Sequence, residues 1–301
     1  MTRMTTYKGV GLLVLLGLAA SSCSENAPTS ALPAGWKMTV VGHAGSGFFT
    51  PINPFNPLPP SSLAGVQRAL VRGADGVEID VRLSRDSVPF LYHDPTLNTM
   101  SSGEGCVSQY TAAELEKLAY RGGFIYDLFH DEHLMRLQAM LDKLPHGSSA
   151  PVIHLDLHED DKCALPGAPS RSPALARALA RLLRDYPIPA DRLLILTANA
   201  ETLRYLHTLL PTVPLGLEIT NDFESGLEQA IQDKVQAVVV SKDVITPERA
   251  AQAQAAGLQV VVFGGRSAKA VARLVSCHPD AIEVDNVPEL LTQLGRPIGQ
   301  E

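Results

Sequence analysis

From Thr39 onward the chain alternates short β-branched runs with longer stretches in which apolar residues recur at helical spacing. Strands are expected near 39–43, 76–82, 88–93, 151–157, 192–197, 213–219, 235–241, 258–263 and 280–284. Helices are expected near 62–73, 111–119, 133–144, 172–185, 200–209, 223–232, 246–256, 267–275 and 287–294. Strand–helix units repeated this often, with near-continuous apolar strands, indicate a parallel sheet covered by helices. A closed (β/α)8 TIM barrel is the expected fold, with a doubly wound sheet as the alternative. One strand is in excess of that barrel. The connection Ser84-Arg85-Asp86-Ser87 is too short for a parallel crossover, so strands 76–82 and 88–93 should run antiparallel or one should extend beyond the barrel. An irregular or extra strand is therefore expected near residues 76–93.

Two strands carry charge inside this apolar pattern. Gly76-Val77-Glu78-Ile79-Asp80-Val81 places Glu78 and Asp80 on one face. The run from Val152 places His154, Asp156 and His158 on one face and Ile153, Leu155 and Leu157 on the other. His43 ends the first strand, and a hairpin brings His93 roughly opposite Asp80. Unpaired buried carboxylates are costly, so acids pointing together call for a cation, a basic partner or solvent. Glu78, Asp80 and Asp156 near strand ends suit a hard divalent cation, Ca2+ or Mg2+. His154 and His158 leave a zinc site as the competing reading.

The chain has 301 residues, 45% of them hydrophobic, which is enough for one large domain over residues 38–296. Its net charge of −7, with no long basic run, argues against nucleic-acid partners and polybasic membrane binding. At the N-terminus, Arg3 and Lys8 precede an apolar run from Val10 to Ala20 and then Ser21-Ser22-Cys23. The run is shorter than the ~20 residues of a membrane-spanning helix and reads as a signal peptide over 1–22. Small residues before Cys23 resemble the bacterial lipobox, which implies lipidation of Cys23, a flexible tether over 24–37, and a lipoprotein held in the cell envelope, in the periplasm or at the outer membrane. An ordinary signal peptide with an incidental cysteine is the alternative. In an exported domain Cys106 and Cys163, both in loops after strand ends, are the expected disulfide, with Cys277 free; three unpaired thiols are the other possibility.

Gly42-His43, the block from Gly73 to Asp86 and Val88-Pro89-Phe90-Leu91-Tyr92-His93-Asp94 together resemble the glycerophosphodiester phosphodiesterase family, of the PLC-like phosphodiesterase superfamily. The stretch from Gly103 to Leu118 and the closing Ala281-Ile282-Glu283-Val284-Asp285-Asn286 extend the likeness over about 38–294. The resemblance implies a TIM barrel and a divalent cation on Glu78, Asp80 and Asp156. It also implies His43 and His93 as the acid–base pair, and hydrolysis of a glycerophosphodiester to sn-glycerol 3-phosphate and an alcohol. The nucleophile it implies is the substrate's own glycerol hydroxyl, through a cyclic phosphate. Three departures stand out: Ala44 replaces an arginine, His158 a lysine, and Pro59-Pro60-Ser61 a Pro-Glu-Asn. His158, and Arg266 after Gly264-Gly265, are the residues left to face substrate; the Gly pair also reads as a plain tight turn. Phe48, Phe49 and Phe55 would either line a lipid-accepting mouth or pack the loop. A phospholipase D-type enzyme on lysophospholipid or sphingolipid, and an inactive ligand-binding lipoprotein, are the alternative functions.

Overall fold

In the structure, a computed structural model describing residues 36–51, 55–186 and 188–300, the alternation resolves into nine strands among those residues. They are β1 (Thr39–Gly42), β2 (Gly76–Leu83), β3 (Pro89–Leu91), β4 (Val152–Leu157), β5 (Leu193–Thr197), β6 (Leu215–Ile219), β7 (Ala237–Ser241), β8 (Gln259–Phe263) and β9 (Ala281–Val284). Eight are parallel and close on themselves in the order β1-β9-β8-β7-β6-β5-β4-β2, with β2 pairing back to β1. The ninth, β3, folds antiparallel onto the C-terminal end of β2 beyond its pairing with β1, with Val81 opposite Leu91 and Arg82 opposite Phe90. This is a (β/α)8 barrel with its extra strand where the short 84–87 connection requires it, and the doubly wound alternative falls away.

The helices are α1 (Leu63–Arg72), α2 (Ala112–Leu115), α3 (Leu137–Leu141), α4 (Ser172–Asp185), α5 (Ala200–Leu209), α6 (Phe223–Gln232), α7 (Pro247–Ala255), α8 (Ala268–Val275) and α9 (Val287–Gln293). Most start at a side-chain cap, as where Ser62, Asp222, Thr246 and Ser267 accept an amide of the first turn. The helices expected over 111–119 and 133–144 shrink to α2 and α3. The residues that flank them instead form isolated bridges, Ala119 with His133, Ser101 with Tyr120 and Arg136 with Phe90, with turns between. The segment joining β3 to β4 is thus a strap with its own buried cluster of Phe90, Tyr92, Leu97, Leu115, Tyr120 and Leu134. A disulfide between Cys106 and Cys163 ties it to the β4–α4 connection, and Cys277 is free and buried.

Period-two alternation sorts the barrel strands into two environments. Outward residues such as Val77, Ile79, Ile153, Leu155, Val238 and Val260 form the main core under the helices. Inward residues at the N-terminal end of the barrel, among them Val41, Leu194, Ala237 and Ala281, form a smaller apolar plug. Above that plug the inward positions are Glu78, Asp80, His154, Asp156 and Glu283, so the polar site rests on an apolar floor. Trp36, which the sequence places in the tether, donates its indole N–H to Pro279 O and packs on the core. Cys23 and the expected signal peptide lie outside the described residues. No helix among the described residues is long and apolar enough to cross a membrane.

Candidate active site

The register brings the acids together: Asp80 lies opposite Asp156 and Glu78 opposite His154 across the β2–β4 pair. Carboxylate oxygens of Glu78, Asp80 and Asp156 all lie within 4.8 Å of one another. Glu78 accepts the Ala44 amide through Oε2 at 2.6 Å, while its Oε1 and Asp156 Oδ1 are buried with no hydrogen-bond partner. Burial, and then the neighbouring acids, push the Glu78 and Asp156 carboxyls well above the ordinary range. Burial acts on Asp80 the same way, but the His158 hydrogen bond and the charges of His93 and His158 outweigh it and hold that carboxyl low. Orphaned buried oxygens on like-charged neighbours are what a divalent cation would satisfy, and an all-oxygen donor set suits Ca2+ or Mg2+.

His158 donates from Nε2 to Asp80 Oδ1 at 2.9 Å and lies 3.4 Å from Asp156 Oδ2, so it is tied to the acids. His154 is paired with Glu283 at 2.6 Å and joins no cluster of three possible ligands among the described residues. The zinc reading on His154 and His158 therefore loses one of its two histidines.

Both histidines expected to move protons stand at this mouth. His43 follows β1 on a turn in which Ala44, Gly45 and Gly47 all have left-handed φ. Its Nδ1 is 2.7 Å from Asp285 Oδ1, just past β9, and its Nε2 is 4.0 Å from Glu78 Oε2. Burial disfavours the charged imidazole, but the Asp285 hydrogen bond and the fields of Asp285, Glu283 and Asp80 win and raise its pKa to about 9. His93 holds Asp94 through Nδ1 at 2.7 Å, and its pKa is raised too: burial lowers it, while the Asp94 bond, Asp80 and Asp94 prevail. Phe48 packs edge-on against both imidazoles, at 5.3 Å from His43 and 4.9 Å from His93. Beside Asp156 and His158 opens a cleft of about 700 Å³ whose polar lining includes Glu159, Thr197, Asn199 and Glu218.

Sequence reasoning missed several of these contacts. Asp285 and Asp94 stood inside quoted segments without a role. Ser61, which the sequence shows only as part of a departure from the family pattern, donates to Asp80 Oδ2 at 2.7 Å and accepts from the Asp80 amide at 3.0 Å. The polar network at that position is thus kept by a hydroxyl. Arg266 lies close enough to Asp285 to lower its pKa, after burial and the His43 contact have acted, and its Nε is buried without a partner. The Gly264 amide is occupied by Glu283 O at 2.8 Å, which favours the tight-turn reading of the Gly pair. Where the sequence lacks an arginine, Ala44 is fully buried.

A family model described as the glycerophosphoryl diester phosphodiesterase family matches residues 55–289. A glycerophosphodiester phosphodiesterase of Caldanaerobacter subterraneus is 23% identical over 87% of this chain and 100% of its own length. Among solved structures, an Oleispira antarctica phosphodiesterase in complex with the product sn-glycerol-3-phosphate superposes with a TM-score of 0.71 at 21% identity, covering 85% of this chain and 96% of the other. A glycerophosphodiester phosphodiesterase of Agrobacterium tumefaciens gives 0.66 at 22% identity, over 85% and 100%.

Proposed function

The chain belongs to the glycerophosphoryl diester phosphodiesterase family, and from that membership and the geometry of the barrel mouth we propose that it hydrolyses a glycerophosphodiester to sn-glycerol 3-phosphate and an alcohol. The observation that carries the reading is the convergence of three carboxylates, two with orphaned buried oxygens, beside two aspartate-held histidines.

Glu78, Asp80 and Asp156 would hold the cation, and a bound Ca2+ or Mg2+ would supply neutralisation of the phosphate oxygens. The chain's own residues do the rest. Asp285 and Asp94 each fix one ring nitrogen of a histidine and leave the other for proton transfer. His43, kept protonated by Asp285, gives its proton to the leaving alcohol oxygen. His93, the more open of the two, takes the proton from the attacking hydroxyl, either the glycerol's own or water. A cation would cancel part of the field of Asp80 at His43, but the Asp285 hydrogen bond remains. Phe48 limits water between the two rings. With Ala44 in place of a cation, Arg266, whose charge reaches Asp285, is a candidate to meet substrate charge.

Turnover of glycerophosphocholine with and without chelator tests this. Activity should need an added hard divalent cation and vanish in Asp80→Asn; full turnover after exhaustive chelation would overturn it. Lysophosphatidylcholine is the second substrate to try, because Phe48 gives the mouth an apolar wall at the reacting groups. The expected lipidation belongs to the same reading. Cys23→Ser should move the protein from the membrane to the soluble fraction of the bacterial envelope, and wild-type protein that is soluble and lipid-free by mass spectrometry would exclude an anchor.

A further inference from the structure

The strap between β3 and β4 carries a feature the hydrolysis does not use. Within six residues at its tip, Phe124, Ile125, Leu128 and Phe129 are 81, 59, 68 and 58% exposed. Single exposed apolar residues are ordinary on a protein surface, but four large ones side by side are not. The tip is a series of turns, with Tyr126 and Asp127 amides bonded to Gly123 O and the Phe129 amide to Tyr126 O. Phe55, 39% exposed, meets the Phe129 ring at 5.3 Å. Phe55, Pro57, Leu58, Val71 and Phe129 border a groove of about 480 Å³.

The tip lies beside the mouth. Phe49 packs at a tilt against Tyr126 at 4.8 Å, and the next residue back, Phe48, touches both histidines. We infer that this apolar tip docks into the acyl layer of a lipid bilayer and turns the mouth toward phosphodiesters carried by that membrane. Two observations select a bilayer over a protein partner. Side chains splayed from a turn and exposed by more than half suit a fluid apolar phase, whereas the core of a protein interface is packed as densely as a protein interior. The chain's own length also permits it. The described fold starts at Trp36 on the N-terminal side of the barrel, opposite the mouth, and Cys23 to Trp36 can span about 45 Å when extended. An eight-residue strand such as β2 is about 26 Å long. A chain anchored at Cys23 can therefore lay its mouth on the membrane that anchors it. Of the acids at the tip, Asp127 accepts the Gly122 amide and Glu132 the Ala64 amide, while Asp131 is exposed to solvent.

The substrate half of this inference rests on the function proposed above, whereas insertion itself does not. The chain has one tryptophan, so the full-length variant Trp36→Phe/Phe124→Trp, with Cys23→Ser to remove any anchor, reports on the tip alone. Phosphatidylcholine vesicles should shift its emission to the blue, and brominated acyl chains should quench it. Adding Ile125→Ser, Leu128→Ser and Phe129→Ser should weaken that response at least tenfold at unchanged thermal unfolding. The three serines in the wild-type chain should also lower turnover of vesicle-borne lysophosphatidylcholine while sparing soluble glycerophosphocholine. Absence of turnover on both substrates with quenching intact would count against the enzyme reading and leave insertion standing. No quenching by brominated vesicles would overturn the inference. So would an indole at the tip that is already shielded from acrylamide before lipid is added, since that would mean a protein segment or second copy covers it.

Discussion

The two sides of the barrel mouth solve one problem in different ways. On the seam side, His43 after β1 is held by Asp285 after β9, 242 positions away, where the last strand closes on the first. On the strap side, His93 is held by the adjacent Asp94, on a segment that lies outside the barrel. Both Nδ1–carboxylate distances are 2.7 Å, yet the His43 side chain is 19% exposed and that of His93 36%. The seam pair is available only once the barrel is closed, and it sits among buried acids whose fields are less screened by water. The strap pair forms locally and is partly screened by water. From this contrast we expect His43 to depend on the whole fold and His93 on how firmly the strap is held.

The severest way to break the contrast is to remove each histidine. His43→Ala and His93→Ala should each lower kcat by roughly 10²–10⁴-fold, the usual worth of a positioned proton-transfer group. If the pair acts as a unit, the double variant should lose far less than the product of the two. Near-wild-type kcat in either single variant would remove that histidine from the chemistry and leave one side of the mouth a structural support.

The same contrast explains what could be read from the sequence. The strands were legible because inward and outward positions alternate strongly, and the extra strand because four residues cannot carry a crossover. Glu78, Asp80, Asp156, His43 and His93 stood out as polar residues in apolar strand ends. The strap's structure was not legible: its extended pairs, such as Ala119 with His133, arise from contacts that helical spacing in 111–119 and 133–144 conceals. Asp285, Glu283 and Ser61 were invisible as partners because each meets its histidine or aspartate only through barrel closure or a loop at left-handed φ. Asp94 needed no tertiary knowledge, and its adjacency to His93 was the signal.

The strap should weaken first when its tie is cut. The Cys106–Cys163 bond closes a loop of sequence separation 57, which in the chain-entropy account stabilises by about 2–4 kcal/mol. Cys106→Ser should lower the thermal midpoint by several degrees. It should also reduce kcat more than it reduces cation binding, because the acids sit on the barrel and His93 on the strap. A midpoint unchanged within a degree would show that the buried cluster around Tyr92 and Tyr120 holds the strap unaided.

The seam is sharpened by Asp285→Asn. Without that carboxylate the hydrogen bond to a charged partner and its field are gone, so burial weighs more heavily against Glu283 and Asp80 and the His43 pKa falls from about 9. If His43 works as the protonated acid, the alkaline limb of kcat/KM should move to lower pH. The loss at neutral pH should be on the order of 10²-fold, short of the ~10⁴-fold at a buried triad aspartate. The stability sign follows from the raised pKa: its contribution is complete below pH 6.5 and is lost as pH rises through about 9. Thermal unfolding of the cation-free protein should therefore decline over that window in the wild type and stay flat there in Asp285→Asn. An unmoved alkaline limb would mean that another group sets it.

Asp94→Asn gives the smallest effect and tests the screening argument directly. Asp94 raises the His93 pKa by hydrogen bond and charge, against a burial that is only partial. Water reaches both groups, so loss of the charge is compensated in part by solvent, and the amide can still accept from Nδ1 through its oxygen. The ring then keeps its orientation while losing electrostatic support, and kcat should fall by less than about tenfold. Salt separates charge from geometry. Raising ionic strength from 0.05 to about 1 M shortens the screening length to ~3 Å. It should lower wild-type kcat toward that of Asp94→Asn and leave the variant nearly unchanged, with the His43–Asp285 side less affected because it is shielded from solvent. Equal salt responses in the two proteins would show that Asp94 acts by position alone, and a loss as large as that of Asp285→Asn would erase the distinction between the two sides of the mouth.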